Sequence, residues 1–308
     1  MKHTVSAFFD SEKVPLNRQS LDLPDLQQHG ISLDLIRDDL LHPMIAGNKW
    51  WKLKYPLLQA EEQKISRLVT FGGAWSNHIL AVAAAGHLFG FHTTGIIRGD
   101  EQRDLNPVLK QARDWGMQLE HISRDLYRRK NHPGYLEQLR KNCDPCLIIP
   151  EGGTSPQAVR GTAEMVSRLS GVHYDYLCCP VGTGGTVAGM ILGAPRGIEI
   201  VGFSALKGGE FLVPAVENLL KNFDYNGCDW SIQNEFHFGG YARSTPELRQ
   251  FCHEIESIHH VSLDLVYTGK MIFGINELAR RGFIKKGAKI AAWHTGNAFG
   301  LACAKQGK

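Results

Sequence analysis

The chain has 308 residues, 43% of them hydrophobic and 21% charged, which suits one large or two closely packed globular units and excludes a disordered or fibrous chain. The formal net charge of +3 is too small to point to nucleic acid, and the densest basic run, Tyr127 to His132, reads as a solvated helix end. No N-terminal stretch has the form of a secretion signal, "HILAVAAAGHLFGF" is too short and too rich in histidine to span a membrane, and seven cysteines predict reduced thiols in a cytosolic chain.

In chain order, the first 30 residues look irregular and polar, and "ISLDLIRDD" then alternates as a strand. "SRLVTFGG" reads as a buried strand followed by a small-residue helix from Ser76 to about Leu88. "FHTTGIIRGD" is a strand, "NPVLKQARDWG" an amphipathic helix ending at Gly116, and "MQLEHIS" and "CLIIPEGG" are further strands. A helix is expected from about Ser155 to Leu169, then a strand in "YDYLCCP", a glycine loop, and a helix in "GTVAGMILG". "IEIVGFSA" is a strand, with a helix around Glu210 to Leu220; "STPELRQFCHEIESIHH" opens with a capping hydroxyl and a proline, and "AKIAAWHTG" is a late strand. Strands that alternate with helices and read as continuous apolar runs predict an α/β protein with mostly parallel sheets.

In such sheets ligands bind beyond the carboxyl ends of the strands. Three strand-end loops stand out. "CPVGTGGTVAGM" holds Gly182, Thr183, Gly184, Gly185 and Thr186 ahead of a helix. Inward-turned N–H groups, hydroxyl donors and the positive helix end form a cradle for an anion. No Gly-Lys-Ser/Thr follows, Val187 stands where a dinucleotide fingerprint needs its third glycine, and Glu199 is poorly placed to hold a ribose. A phosphate monoester fits best; the alternative is a tight turn with close helix packing. In "FGGAWSNHILAVAAAG", Ser76 and Asn77 either cap the helix or face a ligand. In "AAWHTGNAFG" the same choice applies to Thr295, Gly296 and Asn297. A phosphate cradle gives weight to "AGNKWWKLKY". A lysine beside bulky tryptophans can lose its proton by desolvation and form an imine with an aldehyde, so Lys49 and the cradle together suggest pyridoxal 5′-phosphate.

These residues resemble the pyridoxal-phosphate family of 1-aminocyclopropane-1-carboxylate deaminase and D-cysteine desulfhydrase, of the tryptophan-synthase-β-like fold type II. The likeness runs in order through "GNKWWKLKY", "GGAWSNH", "IPEGGTSPQAVRG", "PVGTGGTVAGM", "GGYAR", "VYTGKMIFG" and "HTGNAFG". It implies two open, twisted, mostly parallel sheets flanked by helices, with a large domain of residues 1–55 and 157–308 and a small inserted domain of residues 56–156. It implies that Lys49 carries the cofactor as an imine and later moves the substrate's α-proton, with Asn48 and Lys52 beside it. Asn77 would bond the cofactor's phenolic oxygen, and Ser76 and His78 the substrate carboxylate. Gly182, Thr183, Gly184, Gly185 and Thr186 would hold the phosphate, Tyr241 and Tyr267 would flank the substrate, and Thr295 would approach the pyridine nitrogen. The resemblance further implies a small amino-acid substrate and a homodimer.

The deaminase pattern resembles "VYEG" and "HLGG", whereas this chain has Thr268 and Thr295 at those places, which looks like the desulfhydrase branch. A carboxylate on the pyridine nitrogen makes a strong electron sink, suited to opening a cyclopropane; a neutral hydroxyl suffices to expel a thiolate. Asn297, the pair Trp50 and Trp51, and "GGYAR" depart from the family's pattern and bear on the substrate. The runner-up activity is the deaminase, and a non-catalytic pyridoxal-phosphate or amino-acid binding protein is the alternative of another class. Outside these motifs, Cys143 and Cys146 in C-x-x-C spacing and the pair Cys178 and Cys179 read as buried or incidental thiols, and His259 and His260 as residues at a helix C-terminus.

Overall fold

The computed structural model describes residues 4–10, 14–100, 104–225 and 227–296. The first half runs α1 (Val5–Phe8), β1 (Arg18–Ser20), α2 (Pro24–Gln28), β2 (Ser32–Ile36), α3 (Asn48–Glu62), β3 (Arg67–Gly72), α4 (Asn77–Phe89), β4 (His92–Arg98), α5 (Pro107–Asp114), β5 (Gln118–Ile122), α6 (Arg124–Arg128), α7 (Pro133–Cys143) and β6 (Cys146–Ile149). The second half runs α8 (Pro156–Ser167), β7 (Tyr176–Val181), α9 (Gly185–Gly193), β8 (Glu199–Ser204), α10 (Leu212–Leu220), β9 (Trp230–Gln233), α11 (Pro246–His259), α12 (Thr268–Arg280) and β10 (Lys289–Trp293). Capping chemistry fixes many of the helix starts. Ser76, Asn106, Ser155 and Thr245 each accept a backbone N–H in the first turn of α4, α5, α8 and α11, and proline opens the last three.

Two sheets result. The larger has the order β1-β2-β10-β7-β8-β9, parallel except where the edge strand β1 meets β2; the smaller, β5-β4-β3-β6, is parallel throughout. Strands of the smaller sheet all lie within residues 67–149, and those of the larger within 18–36 and 176–293. Every residue of β7 is buried, as a strand covered by helices on both faces requires. One apolar core joins the two sheets, bringing Leu68, Ile79 and Ile97 together with Leu177, Val187 and Ile191. Helix α3 is drawn tightly onto α8, and α8 onto α9, by glycines. A side chain at Gly161 would strike the Trp51 carbonyl, and one at Gly189 the Thr162 hydroxyl.

Several expectations change. The first 30 residues hold α1, β1 and α2, with Val5, Phe9, Leu21 and Leu26 buried; these pieces are too short for their periodicity to show. Trp50 and Trp51 belong to the core. Trp51 is fully buried with its indole N–H on Asp38, which also pairs with Arg168, and Trp50 packs its ring on Phe8 and Phe9. In the basic run after α6, Tyr127 is buried and Lys130 pairs with Glu151 at 3.1 Å, so the run is only partly solvated. Cys143 and Cys146 are joined as a disulfide across a Cα separation of 5.7 Å, in place of the reduced pair expected, because α7 turns directly into β6. Cys178, Cys179, Cys228 and Cys252 are free and buried.

Candidate active site

The carboxyl ends of β3, β4, β6, β7 and β10 converge with the starts of α3, α4, α9 and α12. Lys49 is the second residue of α3. The chain enters that helix through Gly47 at φ +60°, where a side chain would meet the Thr295 carbonyl oxygen at 2.6 Å, so only glycine lets the two loops pass. The Lys49 amine donates to Asn48 Oδ1 at 2.8 Å, and burial lowers its pKa from 10.5 to about 8. An amine in that range is partly neutral near physiological pH and nucleophilic.

Asn48 Nδ2 donates to Thr186 Oγ1 at 2.9 Å, which ties α3 to the glycine loop. Lys52, one turn on, reaches Gly152 O at 3.0 Å and Thr154 Oγ1 at 3.2 Å, and Thr154 shares a hydrogen bond with Thr183 at 2.5 Å. Burial first, and the charge of Lys49 second, push the Lys52 amine well below its usual range. A Cβ on Gly185 would lie 2.9 Å from Thr154 Oγ1 and 3.2 Å from Lys52 Nζ; the missing side chain leaves space lined by an amine, hydroxyls and the N-terminus of α9. A phosphate dianion would answer the buried Lys52 amine there.

Ser76 caps α4 through Ile79 N at 3.3 Å, and Asn77 is the first residue of that helix. His78 is buried, with Nε2 at 2.8 Å from Thr70 Oγ1, whose hydroxyl donates to Ile149 O. Thr70 therefore accepts the Nε2 proton. Burial, with the nearby Lys49 and Lys52, keeps the ring neutral, which leaves the backbone N–H of His78, in the first turn of α4, as its donor for a carboxylate.

Opposite this loop, the rings of Tyr241 and Tyr267 meet edge to face at 6.1 Å. Tyr267 covers the cradle, its hydroxyl 3.3 Å from where a Gly182 side chain would begin. Burial raises Tyr267 well above its usual range, and Tyr241, although 41% exposed, is raised by the part of its ring that is covered, so both are neutral O–H groups. Thr295 is buried, and Thr268 Oγ1 is fully buried without a partner among the described residues. The nearest carboxylate, Asp264, accepts the N–H groups of Val266, Tyr267 and Thr268 at 3.1, 2.6 and 3.0 Å. Asn297 lies outside the described residues.

Sequence reasoning missed four residues here. Thr154 joins the cradle, and Arg98, Tyr127 and Glu151 form a cluster whose charges and dipoles act on Tyr241. Glu151 accepts the Tyr127 hydroxyl at 2.8 Å, and Arg98 Nη2 lies 3.4 Å from the place of a Gly73 side chain. Their signal was position. Arg98 ends β4, and Glu151 and Thr154 follow β6, both at the ligand end of a parallel sheet.

The family model for the pyridoxal-phosphate dependent enzymes matches residues 13–296. The chain belongs to that family. A Pyrococcus horikoshii protein provisionally named 1-aminocyclopropane-1-carboxylate deaminase is 29% identical over 94% of this chain and 92% of its own. The mitochondrial bifunctional D-cysteine desulfhydrase/1-aminocyclopropane-1-carboxylate deaminase of Arabidopsis thaliana is also 29% identical, over 95% of this chain and 79% of its own. A crystal structure of an ACC deaminase homologue superposes with a TM-score of 0.79 at 26% identity, covering 96% of this chain and 95% of that one, which makes the fold that of the type II pyridoxal-phosphate enzymes. The residues fit the cofactor. An amine of lowered pKa stands beside a glycine-lined anion cradle, and the buried Thr268 hydroxyl has no partner among the described residues.

Proposed function

We propose that this pyridoxal-phosphate enzyme is a lyase that eliminates sulfide from D-cysteine, giving pyruvate and ammonia. The observation that carries the reading is a pair of hydroxyl side chains on the far side of the site. Thr268 and Thr295 stand at the two positions that separate the branches, and the Asp264 carboxylate is already spent on three backbone N–H groups. The bound cofactor supplies an electron sink conjugated to the substrate's α-carbon. A hydroxyl leaves that sink moderate, enough for a reaction driven by a good leaving group.

The chain's own groups do the rest. Lys49 anchors the cofactor, and its freed amine takes the proton from Cα as the Cβ–S electron pair departs with the thiolate. The released enamine then hydrolyses to pyruvate and ammonia. Asn48, Lys52, Thr183, Thr186 and the amides of Gly182, Gly184 and Gly185 hold the phosphate. Asn77 would bond the cofactor's phenolic oxygen and Thr295 would approach its pyridine nitrogen. Ser76 takes the substrate carboxylate, and Tyr241 and Tyr267 exclude water from the reacting carbon and offer a proton to the leaving sulfur. The smaller unit of residues 56–156, a homodimer and a cytosolic setting complete the proposal.

The deaminase is the second reading, favoured by the names that the relatives carry. Cofactor-loaded protein given D-cysteine, L-cysteine and 1-aminocyclopropane-1-carboxylate in parallel decides between them. Sulfide from the D-isomer alone supports the proposal; 2-oxobutyrate from the cyclopropane with no sulfide overturns it.

A further inference from the structure

Lys270 is 1% exposed and takes no part in the chemistry above. It is the third residue of α12, the helix that Tyr267 opens as its N-cap. Its amine donates to His237 O at 2.8 Å, Gly240 O at 2.8 Å and, more weakly, Ala205 O at 3.4 Å. An ammonium has three N–H donors and no acceptor, and the three partners are acceptors only. No carboxylate pairs with it among the described residues; burial lowers its pKa to about 8, and Asp264 opposes that shift from a distance.

The segment it grips is held in an unfavourable backbone conformation. Phe238 and Ala242 have φ of +50° and +55°, a region side-chain-bearing residues rarely adopt, and Gly239 and Gly240 between them have φ of +92° and +114°. Gly240 directly precedes Tyr241. Of the local bonds on this turn, Gly239 N to His237 Nδ1, Gly240 N to His237 O and Arg243 N to Gly240 O stay within the segment. Among the described residues, Lys270 ties the backbone of this turn to the start of α12, alongside the side-chain hydrogen bond between Tyr241 and Tyr267.

We propose that Lys270 is a positioning residue whose ammonium fixes the Tyr241 loop to the Tyr267 helix and so sets the 6.1 Å meeting of the two rings. The inference rests on the reading that these tyrosines flank the substrate, but the loop's anchoring can be tested without it. Removing the ammonium takes the charged donor from His237 O and Gly240 O, which keep only their bonds within the turn, and from Ala205 O, and leaves a strained turn held less firmly.

The test uses cofactor-loaded wild type and Lys270→Met. Hydrogen exchange by mass spectrometry is followed over residues 234–245 and over β7, with KM and kcat for whichever amino acid the wild type turns over. The expected result is exchange at least tenfold faster in 234–245 with β7 unchanged, KM raised about tenfold, and no further KM increase when Tyr241→Phe is added. Faster exchange spread through β7, or KM effects of the two substitutions that simply multiply, would make Lys270 a general stability residue and overturn the proposal. Unchanged exchange and unchanged KM would overturn it equally. Should Lys270→Met not fold, Lys270→Arg carries the same readouts, because a planar guanidinium keeps the charge but cannot aim at three converging carbonyls. If no substrate turns over in the wild type, the lyase reading fails, while the exchange data still decide the anchoring.

Discussion

The two sides of the site are built differently. On the cradle side, Asn48, Lys52, Thr154, Thr183 and Thr186 come from three separate chain segments, and their polar atoms already bond one another. On the tyrosine side, two neutral phenols stand within electrostatic reach of the Arg98, Tyr127 and Glu151 cluster, and one ring rides on a turn of unfavourable backbone geometry. The cradle is a preformed socket for an anion, which any member chemistry can use. The tyrosine side has adjustable parts, and substrate choice is expected to lie there.

Substitutions can sharpen or break that contrast. Lys49→Ala should have the largest effect, abolishing the imine absorbance and lowering turnover by at least about a thousandfold, as loss of a positioned proton-transfer group does. A coloured, active Lys49→Ala protein would break the account. Lys52→Met should weaken cofactor retention by about ten- to a hundredfold in dialysis, the scale of a lost charged hydrogen bond, while leaving substrate preference alone. Thr295→Ala, on the opposite side, should slow turnover by about tenfold with the cofactor retained; loss of folding would instead make that threonine mainly a cap.

The smallest effect concerns pH. The folded pKa of Lys49, about 8, lies below its ordinary 10.5. Between those values the unfolded chain binds more protons than the folded one, so the Lys49 contribution to apoprotein stability rises with pH through this window and is lost as pH falls towards 8. The difference in urea midpoint between wild type and Lys49→Met should therefore shift in favour of wild type from pH 8 to pH 10, and a flat difference would refute the burial of that amine.

Much of this was legible in the chain. The continuous apolar strands with capped helices showed the α/β alternation, and the glycine loop at 182–186 after a strand suggested an anion cradle, with a tight turn as the alternative. Lys49 was legible only through its context. α3 buries Trp51, Lys52 and Lys54 against α8, and nothing in the local periodicity of "NKWWKLK" reveals a neighbour more than 100 residues away. Thr154, Arg98 and Glu151 were missed for the same reason, since they join the site through sheet register. The turn before Tyr241 escaped because Phe238 and Ala242 adopt positive φ against their own preference. His78 was read from a motif, and its partner Thr70 lies across the smaller sheet from Ile149.

The central claim is that Lys49, among several buried lysines, carries the cofactor. Borohydride reduction of the loaded protein followed by peptide mass spectrometry tests it most directly. The account predicts the pyridoxyl mass on the peptide containing Lys49 and on no other; the same mass on Lys52, Lys54 or Lys270, or on no lysine at all, would contradict it.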